Sequence, residues 1–176
     1  DIKVEIKPNE IGSYILYFGR IDRRKGIEVL LKALPKIFLV DKKLKIVFIG
    51  KDGMNLISNF QKKNIESRII HFDHMNKEDL FSFIVNAKFI VMPSLHENFS
   101  NACLEAMTLS KVVIGTKNTG LEEIICDGIS GFLVKPGNVE DLQNKIVECL
   151  KSKKLKEIGI NAKKRANYFS KKKTIK

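Results

Sequence analysis

The stretch YILYFGRIDRRKGIEVLLKALPKIFLV, residues 14–40, decides the fold because it reads as a strand, a loop and a helix in succession. Its first five residues, Tyr14–Phe18, are all hydrophobic. Consecutive apolar residues over a strand's length indicate a strand that is covered on both faces, as in a parallel sheet. An apolar stripe then runs from Lys25 into Phe38–Val40 and predicts a helix, which we expect Pro35 to kink or split.

The same alternation of strand and helix continues through the rest of the chain. Five further strand-length apolar runs follow: Lys45–Ile49, Arg68–Phe72, Phe89–Met92, Val112–Gly115 and Gly131–Val134. Helical patterns occupy Met54–Lys63, Lys77–Asn86, Ser100–Leu109, Leu121–Cys126, Asp141–Leu150 and Leu155–Phe169. This order predicts an α/β fold, a doubly wound parallel sheet of about six strands with helices on both faces. We expect one domain over residues 1–176, with an ordered core over residues 12–169.

Length and composition exclude several classes of protein. With 176 residues, 44% hydrophobic and 30% charged, the chain is suited to one globular domain and not to a disordered or fibrous polymer. No apolar run approaches the ~18 residues that span a bilayer, and Asp1–Glu10 lacks the apolar core of a signal peptide, so we expect a cytoplasmic protein. Cys103, Cys126 and Cys149 are widely spaced, which predicts buried apolar side chains in a reducing compartment.

The loop Gly19–Gly26 follows the first predicted strand and carries the first functional signal. Ligands of such sheets bind beyond the carboxyl ends of the strands, and glycine lets backbone approach a ligand closely. Arg20 and Lys25 could clamp a diphosphate there without a metal ion, or they could belong to a plain solvated basic loop. The loop contains neither G-x-x-x-x-G-K-[ST] nor G-x-G-x-x-G, which disfavours P-loop nucleotidases and dinucleotide oxidoreductases.

The segment ENFSNACLEAM, residues 97–107, carries the second signal. Its two carboxylates are eight residues apart, a spacing that separates them by ~80° around a continuous helix. We therefore predict that Glu97 stands in the loop and that Glu105 lies in the second turn of the following helix. The N–H groups of Phe99, Ser100 and Asn101 would then open that helix and form an anion site. A first-turn acid that complements the helix dipole, beside an unrelated surface glutamate, explains the pattern equally well.

Taken together, these stretches resemble the retaining glycosyltransferases of family 4, which have the GT-B fold of two Rossmann-like domains. The matching residues are Gly19-Arg20, Lys25-Gly26, Pro93-Ser94, the E-x7-E pair Glu97 and Glu105, Gly120–Glu123 and Asp127–Gly137. They follow the family's order from about Tyr14 to Phe169. The resemblance covers only the C-terminal, donor-binding half. It implies that the N-terminal acceptor domain is absent from this chain and that the isolated domain is inactive.

The resemblance also implies a role for each matching residue. Arg20 and Lys25 would neutralise the leaving diphosphate, while Glu97 would hydrogen-bond hydroxyls of the transferred sugar. These three residues form the implied catalytic set. The implied donor-binding set is Gly19, Asn98, Phe99, Ser100, Asn101, Glu105 and Gly120, with Glu105 on the ribose. The donor would be a UDP- or GDP-sugar, bound without a metal ion or another cofactor, and the acceptor a glycan or a lipid-linked glycan.

The net charge of +12 predicts an anionic partner. Lysines and arginines crowd Lys151–Lys156, Lys163–Arg165 and Lys171–Lys173. This group could bring the protein to the inner face of an anionic membrane that carries the acceptor, or it could form a plain solvated face. A basic nucleic-acid-binding module and a non-catalytic, Rossmann-like regulatory domain are the alternatives. Without interleaved aromatics or an RNP-like motif, nucleic acid is the less favoured partner.

Overall fold

The computed structural model describes residues 6–64 and 67–174. Six strands run through these residues: β1 Tyr14–Phe18, β2 Lys45–Ile49, β3 Ile69–Phe72, β4 Ile90–Val91, β5 Val113–Thr116 and β6 Phe132–Val134. The helices are α1 Pro8–Ile11, α2 Ile27–Val40, α3 Leu56–Asn64, α4 Lys77–Asn86, α5 Asn101–Thr108, α6 Gly120–Ile124, α7 Val139–Lys151 and α8 Leu155–Thr174. A single 3-10 turn, Arg23–Lys25, precedes α2.

The six strands form one parallel sheet in the order β3-β2-β1-β4-β5-β6. Side chains of β1 alternate between two apolar cores: Ile15 and Tyr17 join one, and Leu16 and Phe18 join the other. Helices α2 and α7 pack on the first face, whereas α4, α5 and α6 pack on the second. The predicted doubly wound sheet with helices on both faces is therefore confirmed.

The structure corrects the prediction for Pro35. Helix α2 is one element from Ile27 to Val40 with Pro35 inside it, so the predicted split is wrong. Leu34 and Ile37, on either side of the proline, are fully buried in the first core. Their burial holds both halves of the helix on the sheet, which offsets the one backbone hydrogen bond that proline cannot donate.

The cysteines and helix lengths differ in part from expectation. Cys103 and Cys149 are buried free thiols. Cys126, which lies between α6 and β6, is only half-buried, so the prediction of burial is wrong for that residue. Helix α8 is longer than predicted, and α1 was not predicted at all. No helix in the part of the chain described here is both long and apolar enough to cross a membrane.

The two central strands determine where a site can form. Strands β1 and β4 are neighbours, yet the helix after β1 covers one face of the sheet and the helix after β4 covers the other. The two loops therefore leave the sheet in opposite directions and a crevice opens between them. This is the position at which doubly wound sheets bind ligands.

Candidate functional site

The loops after β1 and β4 are fixed to each other along the crevice. The backbone N–H groups of Leu95 and His96 donate to the carbonyl oxygen of Arg24, at 2.7 and 3.3 Å. Gly26 lies in the left-handed region with φ 70°, and a Cβ there would collide with the carbonyl oxygen of Pro93. Only glycine fits both the dihedral angle and the space, so Gly26 allows the two loops to approach this closely.

A cavity of about 270 Å³ lies between these loops. Five residues predicted from the sequence line it: Gly19, Arg20, Lys25, Glu97 and Ser100. The structure adds Tyr17, Phe18 and Met92, which the sequence reasoning missed, and Ser94 and Ala102, which lie in the matching segments but were given no role. Tyr17, Phe18 and Met92 had been assigned to strands alone, although their position at the carboxyl ends of β1 and β4 was the available signal. The cavity thus combines cations, a carboxylate and an apolar floor.

The predicted cation Lys25 and the predicted carboxylate Glu97 form an ion pair across the crevice. Lys25 Nζ lies 2.6 Å from Glu97 Oε2, and the two side chains are only 21% and 14% exposed. Seventy-two positions separate them in the sequence. Because the pair is largely shielded from water, salt screens it less than a surface ion pair, and the contact holds both charged groups at the mouth of the cavity.

The second predicted cation, Arg20, is more open to solvent. Its side chain is 66% exposed, and its Nε lies 3.0 Å from Asp22 Oδ2. The hydroxyl of Tyr17 donates to the carbonyl oxygen of Arg20 at 2.5 Å. Burial raises the pKa of the Tyr17 hydroxyl above its ordinary value of 10.0, and the charges of Asp22 and Glu97 raise it further. Tyr17 therefore stays protonated and remains a hydrogen-bond donor at neutral pH.

Helix α5 begins where the sequence predicts an anion site. Its N-cap is Ser100, whose hydroxyl accepts a hydrogen bond from the Cys103 N–H at 3.2 Å. Glu97 stands in the loop ahead of the helix and Glu105 in its second turn, so that prediction is confirmed. Glu105 and Asn101 are exposed on the helix, however, and neither lines the cavity between the loops. The carboxylates of the E-x7-E pair thus face different surroundings.

Two further depressions, both open to solvent, adjoin the cavity, and Glu97 lines each of them. One, of about 390 Å³, is lined by Arg20, Arg24, Lys25, His96, Glu97, Asn98 and Phe99. The other, of about 520 Å³, is lined by Glu97, Asn98, Asn118, Thr119, Gly120, Glu122 and Glu123. The N–H of Gly120 donates to the Glu97 carbonyl oxygen at 2.6 Å, and a Cβ at Gly120 would collide with the Asn98 carbonyl oxygen. In this structure Gly120 supports the loop that carries Glu97.

The last helix also supports the site, which the sequence reasoning missed. The Phe169 ring of α8 packs edge-on against Phe99, with ring centroids 6.0 Å apart. Arg165 donates to the backbone carbonyls of Glu123 and Ile124, at 2.8 and 3.2 Å, and lies over the Phe169 ring at 4.9 Å. Arg165 is therefore partly buried in the fold and not a member of a purely solvated basic face. No local pattern signals contacts between residues so far apart in sequence.

Six lysines of the C-terminal region, among the residues whose side chains the structure describes, are exposed to solvent. Exposed lysines of α7, α8 and the turn between them are Lys151, Lys153, Lys154, Lys156, Lys163 and Lys164. The side chains of Lys171–Lys173 lie outside the described residues. Among the residues that the structure describes, no group of three or more His, Cys, Asp and Glu side chains could hold a metal ion.

Comparisons with known proteins match nearly the whole chain. The sequence profile described as "Glycosyl transferases group 1" matches residues 1–165. An uncharacterized glycosyltransferase of Methanocaldococcus jannaschii, MJ1178, is 35% identical over 96% of this chain and 48% of its own length. The capsular polysaccharide biosynthesis glycosyltransferase CapM of Staphylococcus aureus is 31% identical over 88% of this chain and 41% of its own length. The chain thus spans about half the length of these curated relatives.

Solved structures agree in fold. Sucrose-phosphate synthase from Thermosynechococcus elongatus superposes with a TM-score of 0.79 at 26% identity, over 89% of this chain and 41% of that one. The C-terminal domain of a group 1 glycosyl transferase, LpcC of Francisella tularensis, superposes with a TM-score of 0.79 at 25% identity, over 89% and 85%. Anabaena HepE, solved in complex with UDP and glucose, has a TM-score of 0.80 over 90% and 44%, and at 21% identity it shows the fold alone.

Proposed function

The chain belongs to the glycosyl transferases group 1 family, and on that premise we propose that it is the donor-binding half of a retaining glycosyltransferase of family 4 with the E-x7-E motif. It binds a UDP- or GDP-sugar in the crevice between the loops after β1 and β4. Together with an acceptor-binding domain, it transfers the sugar to a glycan or lipid-linked acceptor. The observation that carries the proposal is the Lys25–Glu97 pair, which places a cation and a carboxylate in one cavity.

The chemistry of glycosyl transfer fits this arrangement. The sugar passes through an oxocarbenium-like state while negative charge grows on the departing diphosphate. Lys25 and Arg20 supply fixed positive charge beside the cavity and so stabilise that leaving group. Glu97 remains as an acceptor for sugar hydroxyls and positions the ring. Because protein cations neutralise the diphosphate, the reaction proceeds without a divalent metal.

The start of α5 gives the donor phosphates a second contact. The backbone N–H groups at Phe99, Ser100 and Asn101 lie at the N-terminus of an eight-residue helix, where the helix dipole favours an anion. Asn98 lines the depressions beside them. Glu105, one turn further along and exposed, is the acceptor for the ribose hydroxyls.

Titration calorimetry with UDP, GDP and their sugars tests the proposal. We expect weak binding of one nucleotide class that persists in EDTA, and weaker binding by Lys25→Ala. Arg23→Ala is the matched control, because Arg23 is a cation of the same loop that does not line the cavity. Absence of heat with every nucleotide would refute donor binding. Equal losses in the two variants would refute the assignment of Lys25.

The isolated chain should turn over donor negligibly, because closure of two domains aligns the reactants and excludes water. We expect slow hydrolysis of the donor by this chain when it is joined to an acceptor domain, and none by residues 1–176 alone. The nucleotide released in that assay identifies the base, and the sugar released identifies the donor. Equal hydrolysis by the short chain would show that the second domain is dispensable.

We also propose that the protein is cytoplasmic and binds the inner face of the membrane through the exposed lysines of α8. Eleven of its 32 lysines and arginines fall in residues 151–176, beside one acid, Glu157. Anionic lipid attracts such a cluster by about 1 kcal/mol per cation near the surface. Salt-sensitive sedimentation with phosphatidylglycerol vesicles, lost when Lys156 and Lys163 are both changed to Glu, is expected. The same change at Lys42 and Lys43, exposed after α2, is the control. Absence of binding to these vesicles would refute the membrane role and indicate that the exposed lysines of α8 form a plain solvated face.

The nucleic-acid-binding alternative is not favoured. The matching family and the named relatives are glycosyltransferases, and a donor nucleotide accounts for the cations of the β1 loop. A regulatory domain without catalysis would keep the fold, but it gives no reason for the Lys25–Glu97 contact at the crevice.

A further inference from the structure

Asp22 is the carboxylate around which the loop after β1 is organised. Its Oδ1 accepts a hydrogen bond from the Lys25 N–H at 3.0 Å, and its Oδ2 lies 3.0 Å from Arg20 Nε. Arg24 lies at 3.8 Å from the same oxygen. One carboxylate therefore contacts the backbone of one cavity-lining cation and the side chain of the other. The sequence reasoning did not single out this residue.

The two partners in the Asp22–Arg20 contact differ in exposure. The Asp22 side chain is 17% exposed and is held by its hydrogen bond at the start of the 3-10 turn, whereas the Arg20 side chain is 66% exposed. An exposed ion pair of this kind adds little to folding stability. It does fix the orientation of a long side chain that would otherwise sample many rotamers, and immobilising such a side chain opposes binding.

The geometry also determines which part of Arg20 is available to an anion. Asp22 engages Nε of the guanidinium group, and the two terminal nitrogens carry four further N–H groups. Those nitrogens can form the bidentate contact that arginine makes with phosphate. The Tyr17 hydroxyl holds the backbone of the same residue, so both ends of Arg20 are fixed.

We propose that Asp22 is a positioning residue for the diphosphate: it holds Arg20 ready to receive the phosphates, an inference that rests on the proposed donor-binding function. Simple electrostatics predicts the opposite effect, because a negative charge beside the cavity repels phosphate. Removal of the Asp22 charge should therefore tighten binding if charge dominates and weaken it if positioning dominates. The sign of the change separates the two explanations.

The experiment is a double-mutant cycle on nucleotide affinity, measured by calorimetry with whichever of UDP and GDP binds the wild-type chain. Asp22→Asn keeps an oxygen for the Lys25 N–H and loses the charge that holds Arg20. We expect Asp22→Asn to weaken binding about three- to tenfold, and to change nothing in the Arg20→Ala background. Glu28→Gln is the matched control, since Glu28 pairs with Arg23 at 3.6 Å in the neighbouring turn and should leave affinity unchanged.

Each outcome decides a separate question. Unchanged or tighter binding by Asp22→Asn overturns the positioning role, as does an equal loss in the Arg20→Ala background, which would mark a general effect on the loop. If circular dichroism shows that Asp22→Asn is unfolded, Asp22→Ser, which keeps a capping oxygen, takes its place in the cycle. A wild-type chain that binds neither nucleotide refutes the proposed function itself, and the Asp22 role with it.

Discussion

Substitution of Gly120 by alanine tests whether the loop that carries Glu97 is held by backbone packing. A Cβ at Gly120 would stand 3.0 Å from the carbonyl oxygen of Glu97 and closer still to that of Asn98. Both atoms belong to the backbone and cannot rotate away as a side chain does. The loop must therefore shift, and the 2.6 Å hydrogen bond from the Gly120 N–H to Glu97 must lengthen.

The change in the free energy of unfolding is the difference between a steric cost and a gain in helix propensity. Overpacking a buried site costs about 1–3 kcal/mol, and a clash with fixed backbone belongs near the upper limit. Alanine regains at most about 1 kcal/mol through helix propensity at the start of α6. The free energy of unfolding should thus fall by about 2 kcal/mol. For a chain of this length that corresponds to a melting temperature lower by about 4–8 °C.

The assay combines thermal unfolding with nucleotide titration. Gly53→Ala is the matched control, because nothing lies within 4 Å of a Cβ at that exposed position, and its stability should change by less than about 0.5 kcal/mol. We expect Gly120→Ala alone to lose stability and to bind nucleotide about tenfold more weakly. Equal melting temperatures for the two variants would refute the packing argument. A lower melting temperature with unchanged nucleotide affinity would refute the link between this contact and the site.

Four further predictions concern the site and the core. Glu105→Ala should weaken nucleotide binding more than Glu97→Ala, which should mainly reduce discrimination between sugars; equal losses in both titrations contradict these roles. Phe169→Ala should weaken nucleotide binding severalfold, whereas Phe169→Leu should retain most of the affinity, because apolar packing of residue 169 on Phe99 holds the loop after β4. Unchanged affinity in both variants would contradict this role of Phe169. In the native protein at pH 8 a thiol reagent should modify only the half-buried Cys126, as mass spectrometry will show. Burial raises the pKa of Cys149 from 9.0 to about 12, so its neutral form stabilises the fold below pH 9 and this contribution is lost as pH rises towards 12. Between pH 9 and pH 12 the melting temperature of the Cys149→Ala variant should accordingly fall less steeply with pH than that of the wild type.

Local patterns were sufficient for the sheet. Runs such as Tyr14–Phe18 and Lys45–Ile49 have the same boundaries in the structure as in the prediction, because burial on both faces demands uninterrupted apolar residues. The split predicted at Pro35 was wrong because the cost of proline in a helix was weighed locally, whereas the packing of Leu34 and Ile37 on the sheet keeps the helix continuous. Tertiary burial outweighed a local propensity at that point.

For the site, the sequence predicted the edge of the sheet at which it lies and the types of residue in it, but not which side chains contact each other. Gly19, Arg20 and Glu97 follow strand ends, and parallel strands bring their carboxyl ends to one edge of the sheet. Which cation pairs with which carboxylate depends on the neighbours of each strand in the sheet. Nothing in the sequence near residue 25 points to a partner at residue 97. The roles of Asp22 and Phe169 were missed because each acts through another residue.

The order of the strands has a consequence for assembly. Strand β1 pairs with β2 over five residues but with β4 through a single register pair, Leu16 and Ile90, so the sheet consists of two three-strand halves joined at a narrow seam. Lys25 belongs to one half and Glu97 to the other. Fragments produced by cutting between α4 and β4 would each carry three consecutive strands and one member of this ion pair. Nucleotide binding would then return only when the fragments reassociate, which turns the site into a reporter of fragment complementation.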